Sequence, residues 1–258
     1  MKTNAILLKA VPIVLVVVLL KTAVHALGWE VISLNVIFSG IIGANVFLLG
    51  FLLSGVLSDY KESEKLPGEL ASAISTIVDE LELAGQQKPS PAVRANLSSY
   101  AEFGGQVHQW FYKEVKTRSL LLRLKELYLF MGDLEGLILP NYLARMRQEH
   151  ANLRRVIVRI HTIRDTSFVS SGYLIAVSTT FLIILGIVIV KMDYFYEPLF
   201  FTAIITYLMV FLILLIRDLD NPFDYYSKGS SEDVSLKPIE DVIAEMAKWK
   251  ASPEVVSK

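Results

Sequence analysis

Apolar residues fall in four long blocks, not at spaced positions along amphipathic elements. The first runs from about Ala10 to Leu27 and is broken only by Lys21 and His25 near one end. The second runs from Val31 to Leu57 without a charge, the third from Phe168 to Val190, and the fourth from Leu199 to Ile216, stopping at Arg217-Asp218. A helix needs roughly 20 mostly apolar residues to cross the hydrocarbon core, so each block predicts a transmembrane helix. The first is read as an uncleaved span. It is long for a signal peptide, lacks a clean A-x-A site, and a second uncharged block follows almost at once.

The connections are lopsided. A few residues around Gly28-Trp29-Glu30 join spans one and two, and Lys191 to Pro198 join spans three and four, whereas a long polar stretch separates spans two and three. The expected fold class is all-α: a four-span transmembrane helical protein with a helical polar domain between spans two and three. The expected boundaries are 1–58 for the first two spans, 59–166 for the polar helical domain, 167–226 for the last two spans and 227–258 for a tail.

Within the middle stretch, Leu66-Pro67-Gly68-Glu69 reads as a turn and helix start. Leu70 to Leu83 then places Ile74, Ile77, Val78 and Leu81 on one helical face. Pro89 and Pro91 mark a break. Further helices are expected over Val93–Glu102, Gln106–Leu129 and Tyr142–Asp165, with Gly104-Gly105 as a turn between two of them. No β alternation of useful length is present. Nothing stops the second span before Pro67, so it is expected to continue beyond the membrane as a long helix. In the tail, Gly229-Ser230-Ser231 reads as flexible and Pro238 to Lys250 as a short helix.

Composition narrows the function. The chain has 258 residues, a net charge of -1 and no cysteine, which excludes a disulfide scaffold, a CxxC redox site and a thiolate metal site. Balanced charge argues against a nucleic-acid partner, which would want a basic surplus. Lysine and arginine flank the middle stretch (Lys61, Lys65, Arg154, Arg155, Arg159, Arg164), against one lysine near each short connection, Lys21 and Lys191. The positive-inside rule then puts the middle and both termini in the cytoplasm of a multi-pass cell (inner) membrane protein. Trp29, Tyr194 and Tyr196 stand where an outer aromatic belt would anchor the chain.

Catalytic chemistry finds little support. The histidines His25, His108, His150 and His161 form no HExxH motif, and His150 and His161 lie roughly 16 Å apart along one helix, too far to share a metal. No GxSxG elbow, P-loop or GxGxxG occurs. Glu62, Glu64, Glu80 and Glu82 read as the wet face of amphipathic helix. Neither an enzyme nor a cofactor is expected.

The second span carries the candidate site. Gly40, Gly43, Phe47, Gly50, Phe51 and Ser54 recur at spacings of three and four and share one stripe. Small residues allow close packing of transmembrane helices. The same stripe would equally line a pore in a symmetric oligomer, where stacked rings of Phe47 and Phe51 form a constriction that gates by dewetting. Aromatic ring edges carry partial positive charge and suit a passing anion better than aliphatic rings. Asn35 and Asn45, also in this block, would either line water or bond a neighbouring helix.

Two spans, a helical middle and two spans resemble the layout of the bestrophins. Leu49-Gly50-Phe51 continuing to Leu66-Pro67 is similar to the end of the bestrophin pore helix and the turn beyond it. Ser58-Asp59-Tyr60-Lys61 through Pro67, and Arg217-Asp218-Leu219-Asp220-Asn221-Pro222-Phe223, resemble the two hallmark segments of the bacterial bestrophin-like proteins. In layout the resemblance covers roughly residues 10 to 225. It implies a pentameric ion channel, mostly anion-selective, with the neck at Gly43, Phe47 and Phe51, although the family has a larger aliphatic at the Gly43 position. It also implies family-motif roles for Asp59, Tyr60, Pro67, Asn221, Pro222 and Phe223. The bestrophin calcium clasp uses an acidic run after Asn-Pro-Phe. Here Asp224-Tyr225-Tyr226-Ser227 supplies one acid, which leaves Asp218, Asp220 and Asp224 as the only candidate ligands where a hard cation wants six or more oxygens.

The expected function is therefore an oligomeric channel for chloride or other small anions, with lipid, small inorganic ions and its own copies as partners. The alternative is a non-conducting membrane scaffold or signalling protein whose cytoplasmic helices bind a partner. A proton-coupled transporter is a third possibility, disfavoured because charge inside the spans is confined to Lys21 and His25 near one end.

Overall fold

The computed structural model describes residues 4–33, 35–165, 170–191, 196–225 and 233–251. Among these, the elements in order are α1 (Asn4–Ala26), β1 (Ile32–Ser33), α2 (Val36–Ser63), α3 (Leu66–Gln87), α4 (Pro91–Phe111), α5 (Thr117–Phe130), a 3-10 turn (Met131–Leu134), α6 (Pro140–Asp165), α7 (Ser170–Ile189), β2 (Val190–Lys191), α8 (Tyr196–Leu219) and α9 (Lys237–Ala251). The chain is all-α, as the pattern predicts. The two strands are the exception. They pair in parallel, Ile32 with Val190 and Ser33 with Lys191, and at two residues each they are too short to leave an alternation in the sequence. Tyr194 and Gly229-Ser230-Ser231 lie outside the described residues.

Contacts divide the chain into two units. The first gathers α1, α2 as far as Tyr60, α7 and α8. All four helices are long and apolar enough to cross a membrane. Its core joins Leu49, Leu52 and Val56 of α2 to Ala176, Ile183 and Ile187 of α7 and to Met209, Ile216 and Leu219 of α8. A smaller cluster brings Val17 and Val24 of α1 against Val188. Gly186 of α7 receives the Phe38 ring of α2, because a Cβ there would lie 2.7 Å from the ring.

The second unit holds α3 to α6 and α9. In α3 the predicted face, Ile74, Ile77, Val78 and Leu81, is buried, and the helix packs on α6, α4 and α9. It starts at Leu66, earlier than expected. Pro67 falls in the first turn, where its missing N–H leaves no hydrogen bond unmade. The expected turn at Gly104-Gly105 is corrected: both lie inside α4. A Cβ on Gly104 would stand 2.7 Å from Met246 Cε of α9, so the methionine methyl rests over this bare stretch of helix. The chain breaks instead after Phe111, within the stretch expected as one helix from Gln106 to Leu129. Lys113 takes a left-handed backbone (φ 60°), and the indole of Trp110 donates across the break to Thr117 Oγ1 at 2.9 Å.

Two of the carboxylates expected on a wet face are committed to arginines. Glu80 is buried and accepts from Arg145 at 2.9 Å. Glu62 takes a bidentate pair from Arg159 at 2.8 and 2.7 Å. His150 is buried among α4, α5 and α6. Its Nδ1 lies 3.0 Å from the Tyr100 hydroxyl and its ring 5.5 Å from that of Tyr128. Burial, aided by the nearby charge of Arg154, pushes the His150 pKa down to about 4, and burial also raises that of Tyr100. A histidine depressed in the folded state stabilises the fold fully above its unfolded pKa and loses that contribution as pH falls through about 6.5 towards about 4. Thermal unfolding of the full chain in detergent should therefore show a loss on the order of 2 kcal/mol between pH 7.5 and 5 from this group. His150→Leu should flatten that slope while lowering stability at pH 7.5, and an unchanged slope would remove His150 as its source.

Candidate functional site

The second helix has two unlike faces. One packs into the first unit through Phe38, Asn45, Leu49, Leu52 and Val56. There the Asn45 amide donates to Thr180 Oγ1 at 2.8 Å, and its carbonyl accepts from Thr179 Oγ1 at 2.6 Å. That settles the two roles open to Asn45: it bonds a neighbouring helix. Asn35 precedes α2, and its side-chain oxygen accepts from the Phe38 N–H at 2.8 Å. This is an N-cap, which satisfies one orphan donor of the first turn.

The opposite face carries the stripe singled out from the sequence. Gly40, Gly43, Phe47, Gly50, Phe51 and Ser54 are all exposed, Phe47 at 76% and Phe51 at 66%. A Cβ built on Gly40, Gly43 or Gly50 would meet nothing within 4 Å. These glycines therefore do not admit another helix of the same chain, and close packing within the protomer is not their role. Nor does the stripe look like a lipid face. Leu8, Leu15, Val16 and Leu19 of α1, with Leu174 and Leu182 of α7, present bulky aliphatics outward. Glycine and serine would gain little in contact with lipid chains.

A polar clamp stands ahead of this helix. Lys21, in α1, is 1% exposed, and its Nζ donates to Glu30 Oε1 at 2.6 Å and to the carbonyl of Val190 in β2. Glu30, 9% exposed, also faces His25 Nδ1 at 3.2 Å. Burial alone would raise the Glu30 pKa, but Lys21 and His25 outweigh it and hold the carboxyl below its usual range. The clamp ties α1, the α1–β1 connection and β2 together. Sequence reasoning alone does not find it, because Lys21 stands there as a charge near a membrane end. The signal was present: a lone lysine inside an apolar block, and a lone acid in the short connection that follows.

Comparison with solved structures identifies the architecture. A tryptophan-to-alanine variant of a bacterial bestrophin homologue from Klebsiella pneumoniae matches with a TM-score of 0.77 at 19% identity, over 96% of this chain and 99% of that one. An isoleucine-to-threonine variant of the Klebsiella pneumoniae homologue gives 0.77 at 19% identity, over 95% and 100%. A structure of the Klebsiella pneumoniae homologue phased on zinc gives 0.71 at 18% identity, over 98% and 99%. The chain has the bestrophin fold. No family model and no curated protein matches it.

With the bestrophin fold and four apolar helices, the chain is a membrane protein. The residues that carried the resemblance now have places. Tyr60 packs against the α2, α7 and α8 core, Asp59 is partly exposed, and Pro67 is buried in the first turn of α3. After α8 come Asn221, partly exposed, and Pro222, buried. Phe223 is fully buried, its ring 5.8 Å from that of Phe111, and Tyr225 meets Phe111 edge-on at 5.9 Å. Among the described residues no three His, Asp or Glu side chains gather as a metal site. Asp218, Asp220 and Asp224 do not form such a group. Asp218 sits in the last turn of α8, and Asp224 follows beyond Pro222.

Proposed function

We propose that this chain is one subunit of a homopentameric channel of the bestrophin type. It conducts chloride and other small anions along the ring axis, past a hydrophobic neck made by Phe47 and Phe51 of α2. Gly43 lies one turn before Phe47 and widens the approach. Gly40, Gly50 and Ser54 complete the lining. The protein performs no catalysis. It sits in the cell's inner membrane with α3 to α6, α9 and both termini in the cytoplasm, as the lysine and arginine bias directs.

The observation that supports this most is the outward stripe of α2, with two phenylalanines and three glycines that nothing among the described residues covers. One helix cannot enclose a pore, but cyclic symmetry brings the same stripe of every subunit to one axis. An apolar ring pair in a narrow channel passes ions only when wetted, and phenylalanine edges favour anions over cations.

Purified protein should give a pentameric native mass. In liposomes with opposed chloride and sodium gradients, its reversal potential should follow chloride. A silent protein of monomeric or dimeric mass would overturn the proposal in favour of a scaffold. A pentamer whose potential follows sodium would retain the pore and reverse its selectivity.

A further inference from the structure

The second helix does not end where its apolar block ends. It runs unbroken to Ser63, and the exposed stripe runs with it. Ser58 and Lys61 follow Ser54 at spacings of four and three, and both are exposed. At 3.6 residues per turn, Lys61 sits at the angular position of Gly43, near the middle of the stripe. Both residues belong to one helix, so helix geometry alone fixes this relation. Lys61 lies about 15 Å along the axis beyond Phe51.

The charges beside Lys61 strengthen its claim. Among the described residues no carboxylate pairs with it. Its neighbour Glu62 falls about 20° from Phe51, at the edge of the stripe, but is held by the bidentate contact with Arg159, so its negative charge is already matched. Asp59, partly exposed, lies two residues away and so about 160° around α2 from Lys61; Glu64 and Lys65 lie past the end of α2, are both exposed and are opposite in sign.

We infer that Lys61 is a selectivity residue of the pore: one per subunit, forming a ring of positive charge at the cytoplasmic end of the neck that concentrates anions and repels cations. The inference rests on the channel proposed above. Identical charges around one axis add their potentials, and the Debye length of about 8 Å at physiological salt confines the effect to ions already in the mouth.

The test uses the full chain in liposomes, with native mass measured on each sample. Lys61→Gln should lower the chloride-to-sodium permeability ratio at least about threefold, Lys61→Glu should lower it further, and Lys61→Arg should keep it. The chain has no cysteine, so Lys61→Cys provides a second route if the acidic variant does not assemble. On the assembled Lys61→Cys channel, a cationic thiol reagent should restore the chloride preference and an anionic one should depress it further. An assembled, conducting Lys61→Glu channel with the parent's reversal potential, or a Lys61→Cys channel indifferent to the sign of the reagent, would overturn the role of Lys61 and leave the channel standing. A silent, monomeric parent would overturn both.

Discussion

Phe47→Ala combined with Phe51→Ala is expected to raise chloride flux through purified protein in liposomes by at least about tenfold, which needs only about 1.4 kcal/mol off the barrier. The barrier at a hydrophobic neck is the cost of wetting it. Two rings of alanine leave a wider bore that holds water continuously. Subunit stability should hardly change, because both side chains are mostly exposed and touch no packed core of their own chain. That pairing of outcomes is what separates a neck from helix packing. Had Phe47 and Phe51 been buried against another helix, truncation to alanine would cost about 3–5 kcal/mol each, and the variant would unfold early without conducting more. A double variant that assembles and conducts like an active parent would show that the neck lies elsewhere.

Much of this architecture was legible because its signals are local. Four apolar blocks, two short connections and a lysine and arginine bias are properties of neighbouring residues, and they gave the all-α class and the spans. The i, i+3, i+4 spacing on the second span likewise gave the stripe. It could not say which way the stripe faces, because close packing and pore lining use the same residues. Only the empty space around Gly40, Gly43 and Gly50 excludes packing within the chain.

What the sequence hid depends on long-range contacts. Gly104-Gly105 looks like a turn until Met246, far along the chain, is found over Gly104. Glu80 looks like a solvated charge until Arg145 reaches it. Asn45 had two equal readings until Thr179 and Thr180 of α7 supplied its partners. Lys61 reads in the sequence as a topology charge and part of a hallmark segment; its place on the stripe needs the stripe's outward face, which only the structure gives.

Lys21→Met should be the most destabilising single change in the membrane unit. Lys21 is buried, the Glu30 side chain is 9% exposed, and each satisfies the other. Removing one partner of such a pair strands a charge, at about 3–5 kcal/mol. Glu30 limits that loss by taking up a proton. Near pH 7 the limit is about 3.7 kcal/mol, from 1.36 kcal/mol for each unit above a carboxyl pKa of about 4.3. The sign of the pH dependence follows. In the parent, the depressed carboxyl of Glu30 stabilises the fold above its unfolded pKa and loses that contribution as pH falls. In Lys21→Met the carboxyl loses the partner that holds its pKa down while burial still raises it, so it takes up a proton more readily, and the gap to the parent is largest at neutral pH and narrows towards pH 5. Adding Glu30→Gln to Lys21→Met removes the stranded group, and should restore most of the stability and abolish its dependence on pH. Thermal unfolding of the four proteins of this cycle in detergent, at pH 5 and pH 7, measures the coupling directly. If Lys21→Met were as stable as its parent at both pH values, Lys21 would be a lysine reaching water and not the clamp of α1, Glu30 and β2.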